Sequence, residues 1–192
     1  MMYEINQSTQ VQEKSSVSSI PVGITDNCSL ENISRETASN ESPYLCFTFS
    51  DTEGNQLKHL EWDVDPGRVN KKEGESTDES VERKVKNMLI RIKHICTKFV
   101  DSDSFSVSGS TFIELCDNLI KFMGTKYQGI PVRLKVIYNY KDYNSLPNFC
   151  PFIETMTTNP TGLKIGSNDK MEKESNGAEA EVATSDESGL PF

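Results

Sequence analysis

Residues 130–139 read IPVRLKVIYN, and they set the period on which the rest of the chain is read. Ile130, Val132, Leu134, Val136 and Tyr138 fall on one side of a two-residue repeat, and Arg133 and Lys135 on the other. That alternation predicts a β-strand with an apolar face toward a core and a cationic face away from it. Downstream, Lys141-Asp-Tyr-Asn-Ser-Leu-Pro147 reads as a turn-rich link. FCPFIETM (149–156) reads as a last strand, confined to an edge or a bulge by Pro151, which has no N–H to give to a ladder.

Upstream, the period changes to that of a helix. Val81, Val85, Met88, Leu89, Ile92, Ile95, Cys96 and Phe99 form an apolar stripe that Ser76 and Glu79 can cap. Opposite it lie Arg83, Lys84, Lys86, Arg91, Lys93 and Lys98. A second helix is expected from the capping pair Thr111 and Glu114, along Phe112, Leu115, Cys116, Leu119, Phe122 and Met123, to Gly124. Before a polar loop at 66–80, CSLENISR (28–35), YLCFTF (44–49) and LKHLEWDV (57–64) are short strand-forming runs separated by turn formers. In YLCFTF, Leu45, Phe47 and Phe49 should face the core and Tyr44, Cys46 and Thr48 away from it. The order β-β-β-α-α-β-β predicts a mainly β, α+β protein: a five-stranded Greek-key barrel of the oligonucleotide/oligosaccharide-binding type, with a helical pair between strands 3 and 4.

The chain has 192 residues, 35% apolar and 26% charged, which is low in apolar content for a globule packed along its full length. Residues 1–18 and 159–192 are polar and aperiodic and are expected to be disordered, leaving 19–158 as the folded domain. No run is long and apolar enough for a membrane span or a secretory signal, so a cytoplasmic location is expected and no membrane partner. The five cysteines are scattered in apolar surroundings and are expected as reduced packing residues; no metal or cofactor is expected. The net charge of −9 hides a segregation along the chain. Residues 1–82 carry 6 Lys/Arg against 16 Asp/Glu, residues 83–141 carry 11 against 4, and residues 142–192 carry 3 against 9. A basic middle flanked by acidic ends allows a polyanionic partner against which the net charge alone argues.

Nothing in the sequence has the pattern of an enzyme: there is no phosphate-cradling glycine loop and no nucleophile elbow. His59 is expected in mid-strand and His94 on the basic helix, partly exposed, neither as a catalytic base. Glu61, Asp63 and Asp65 are expected as solvated charges along one edge. What the chain offers is cations interleaved with planar rings, the combination needed to track phosphates and stack exposed bases. The expected nucleic-acid contacts are Trp62, Lys84, Arg91, Lys93, Arg133, Lys135, Tyr140, Lys141 and Tyr143, while Tyr138, Phe149 and Phe152 are expected in the core.

The chain ends SDESGLPF, an acidic polar run closing on Leu190, Pro191 and Phe192. This resembles the C-terminal tip of bacterial single-stranded DNA-binding proteins. The resemblance implies that the Phe192 ring and carboxylate enter a pocket on a replication or repair protein, beside Leu190 and Pro191, with Asp186 and Glu187 on its basic rim. Ser188 and Gly189 stand where that family has further acids. More diffusely, PVGITDNCSLENI, FTFSDTEGNQLKHLEW and GIPVRLKVIYNYKDYNSLPNFCPFIE resemble bacteriophage single-stranded DNA-binding proteins over about residues 20–155. That implies a non-enzymatic protein coating single-stranded DNA in phage replication, recombination and repair, with self-association open. A recombination mediator or annealing accessory on a similar barrel, and a structural virion or assembly protein, are the alternatives.

Overall fold

A computed structural model describes residues 18–174. Its strands are β1 (Gly23–Thr37), β2 (Pro43–Ser50), β3 (Gln56–Trp62), β4 (Val132–Tyr138), β5 (Asn144–Ser145) and β6 (Ile153–Thr155). Helices α1 (Thr77–Cys96) and α2 (Phe112–Met123) are inserted between β3 and β4. All strand pairs are antiparallel, in the order β3-β2-β1-β4-β5, with β6 also along β4. The mainly β character and the helical pair between the third and fourth strands follow the sequence reading.

The 15-residue β1 organises the sheet because its two halves serve different partners. Gly23–Cys28 pairs with β4, and Ser29–Thr37 pairs with β2. Between Thr25 and Cys28 the register slips, and Asn27 takes a left-handed φ of 57°, which asparagine tolerates better than most residues. Such a bulge bends a strand and lets one sheet curl over its own core. The strand thus begins five residues before the 28–35 expected from the sequence, and the added half is the one that turns the corner.

Six strands form, not five, because Asn144 and Ser145, within the expected link, pair with Tyr138 and Ile137. The sheet remains an open path among the described residues. Ser18–Ile20 lies between its two ends. Gln56 N–H donates to the Ser18 carbonyl (2.8 Å), and the Asn144 amide donates to the Ile20 carbonyl (2.7 Å).

Curled inward are Leu45, Phe47 and Phe49 of β2 and Val132, Leu134 and Val136 of β4, all fully buried. Each such side chain contributes about 1.5–3 kcal/mol by leaving water. Met88, Ile92, Ile95 and Cys96 of α1, and Phe112, Cys116, Leu119 and Met123 of α2, complete the core. The caps form as the sequence implies: Ser76 and Glu79 make a reciprocal box, and the Thr111 hydroxyl accepts from Glu114 N–H. Glycine is required at 109, where a Cβ would lie 2.3 Å from the Leu115 nitrogen at the approach to α2.

Two expectations about the periphery are corrected. Residues 159–174, read as tail, lie against β4: Leu163 is buried, and the Lys170 carbonyl accepts from Tyr138 N–H at 2.8 Å. Their composition is that of a loop, but Leu163 supplies an apolar anchor, and Asp169 meets Lys135 at 3.0 Å. Cys150 is exposed, while Cys28, Cys46, Cys96 and Cys116 are buried; burial pushes the Cys28 and Cys96 thiols up to about 12, which makes them inert packing groups. No helix among the described residues is long and apolar enough to cross a membrane.

Candidate nucleic-acid interface

Strict alternation along β3 puts Leu57, His59 and Glu61 inside and Lys58, Leu60 and Trp62 outside. Trp62 is 43% exposed. Directly across the ladder stands Tyr44, its ring centroid 4.5 Å from the indole at an interplanar angle of 40°. The Tyr44 hydroxyl donates to Glu36 (2.7 Å), and with Ser34 it holds the Glu36 carboxyl below its ordinary range. The indole is therefore a buttressed platform at the end of an edge strand.

One stripe of α1 lines the same cavity as this platform. Lys84, Asn87, Met88 and Arg91 are spaced i, i+3, i+4 and i+7, so they share a helix face. Between that stripe and the end of β3 lies an open cavity of about 700 Å3, lined also by Arg68, Asp63 and Asn148.

Beneath the cavity, Arg91 forks onto the Glu61 carboxylate with two contacts of 2.6 Å, and Glu61 also lies 2.9 Å from His59 Nε2. Glu61 and His59 are buried, which corrects the expectation of a solvated edge carboxylate. Burial alone would raise the Glu61 pKa, but the hydrogen bonds from His59 and Arg91 outweigh it and keep the carboxyl below its usual range. Inward alternation left no other place for the side chain, and Arg91 makes the burial tolerable.

The cations around the cavity are largely committed. Arg83 forks onto Glu75, and that hydrogen bonding holds the Glu75 carboxyl at about 2. Arg68 lies 3.4 Å from Asp65. Lys84 is the lining cation without a carboxylate within 4.0 Å among the described residues.

Of the expected contact residues, Trp62, Lys84 and Arg91 come together here. Lys93 is exposed on α1 but does not line the cavity. Tyr140, Lys141 and Tyr143 form an exposed turn between β4 and β5, with Lys141 Nζ 5.4 Å from the Tyr140 ring centre, and also stand outside it.

Arg133 and Lys135 belong to the structure rather than to an open surface. Arg133 pairs with Asp26 and Glu154, and burial leaves Lys135 only 8% exposed, bonded to Asp169 and to the Lys164 carbonyl (3.2 Å). The face of β4 read as cationic and open is roofed by β1's bulge, β6 and residues 161–170.

His94, expected as a partly exposed polar residue, is half-buried and accepts from Phe152 N–H at 3.3 Å. Burial, with Lys98 nearby, lowers its pKa to about 4, so the ring is neutral at physiological pH.

Phe149 was expected in the core and is 81% exposed, adjacent to cavity-lining Asn148. The available signal was its place between Pro147 and Pro151, which prevents a continuous strand there. Phe152, expected in the core, is fully buried. Asp186, Glu187, Leu190, Pro191 and Phe192 lie outside the described residues.

No protein-family model matches the sequence, and no curated protein is significantly similar to it.

Proposed function

We propose that this chain is a non-enzymatic single-stranded DNA-binding protein that coats unwound DNA during replication, recombination and repair, acting in the cytoplasm. The observation that carries the reading is the Trp62 platform, exposed and backed by Tyr44, which lines one open cavity together with Lys84. Its volume is within the range of about 300–1,000 Å3 that small-ligand sites occupy, enough for a base on the indole with its phosphate toward α1. Exposed rings at Phe149, Tyr140 and Tyr143 offer further stacking positions along a strand.

The shared, bulged β1 and the linkage of the sheet's two ends through Ser18–Ile20 support an oligonucleotide-binding barrel as the scaffold. Because only exposed, unstacked bases reach such a platform, binding should favour single strands over duplex. Competition between the two tests the reading.

The acidic C-terminal run ending in Leu190, Pro191 and Phe192 serves, in this reading, to recruit replication or repair proteins. Removing those three residues should leave the affinity for a single strand unchanged or raised and abolish capture of the recruited proteins. A loss of DNA binding instead would reverse the assignment of roles.

A further inference from the structure

Two polar side chains at the cavity have no role in holding the fold. Asn87 lies on the α1 stripe and Asn148 in the segment between β5 and β6; both are exposed, and neither amide has a hydrogen-bond partner among the described residues. Asn40, a third lining amide, already accepts from Ser42 N–H at 3.3 Å. Beside the indole, Asp63 uses one carboxylate oxygen to accept from Val64 N–H (2.9 Å) and leaves the other without a partner among the described residues.

We infer that this groove discriminates among bases, preferring cytosine and adenine, whose hydrogen-bonding edges carry an exocyclic amine, over thymine and uracil; the inference rests on the single-stranded DNA reading above. Asp63 is the specificity-determining residue, and Asn87 and Asn148 are available to hold the base edge in place. A side-chain amide places a donor and an acceptor next to each other, as in the bidentate pairing of asparagine with adenine. Asp63 offers acceptors only. It takes an N–H from an exocyclic amine and repels the carbonyl oxygen that thymine and uracil present at the same position. A non-selective coating surface needs only rings and cations, whereas here three polar groups with unused capacity line the same cavity as the ring.

The decisive comparison is oligo-dC against oligo-dU of equal length, followed by Trp62 emission, since these pyrimidines stack alike and differ at the edge. The full chain should bind oligo-dC at least about fivefold more tightly. In the Asp63→Asn variant, whose amide can also donate to a carbonyl, the ratio should fall toward one while quenching of Trp62 persists. Equal affinities with normal quenching, or a ratio unchanged in the variant, would overturn the inference and leave the single-strand reading standing. Absence of binding by both strands would remove the single-strand reading and this inference with it.

Discussion

Replacing Trp62 with alanine should weaken binding of a labelled single strand about 5- to 150-fold, the equivalent of about 1–3 kcal/mol for one base–aromatic stack. The measurement is fluorescence anisotropy of the labelled oligonucleotide, because the variant loses its only tryptophan. The fold should survive the change. Trp62 sits at the end of an edge strand with its outer face in water, and its main contact is with Tyr44, itself only half-buried. Trp62→Phe should retain most of the affinity, since the ring supplies the effect. Affinity unchanged in Trp62→Ala, with the fold intact, would place the strand elsewhere on the molecule.

The largest effect on stability is expected at Glu61. Glu61→Ala should cost about 3–5 kcal/mol, the range for breaking a buried ion pair by removing one partner, read as a lowered midpoint of urea unfolding. The reason is what remains behind: Arg91, with a side chain only 18% exposed, and buried His59 both lose their shared acceptor. Because Arg91 is also part of the cavity wall, the same variant should weaken strand binding as α1 loses its clamp on β3. Adding Arg91→Met to Glu61→Ala should recover much of the lost stability by removing the orphaned charge. An unfolding midpoint unchanged by Glu61→Ala would show that the pair does not hold α1 in place.

The sheet and helices were legible where one physical signal dominated. The alternation in 130–139 fixed β4, and the stripes with Ser76 and Thr111 fixed both helices, since packing and capping there agree with local pattern. The corner of β1 was not legible, because Asp26 and Asn27 are residue types depleted in strands, while the chain uses them as a bulge within one strand. The two-residue β5 carries no period and is set by its partner on β4.

At the site, residue type revealed the chemistry but not its allocation. Arg133 and Lys135 look like Lys84 in sequence, yet the first two meet carboxylates 21 to 107 residues away in the chain, at Asp26, Glu154 and Asp169. Whether a cation is free is a property of tertiary pairing, which charge counts along the chain do not contain. The same holds for Phe149, whose exposure depends on how Leu146 and Pro147 tuck in before it.

The most direct test is titration of the full chain, followed by Trp62 emission, with a mixed-sequence strand and with the same sequence as duplex. Saturable quenching by the single strand is expected, with much weaker binding and little quenching by the duplex. Equal binding of both forms, or tight binding of the single strand with unaltered Trp62 emission, would contradict it.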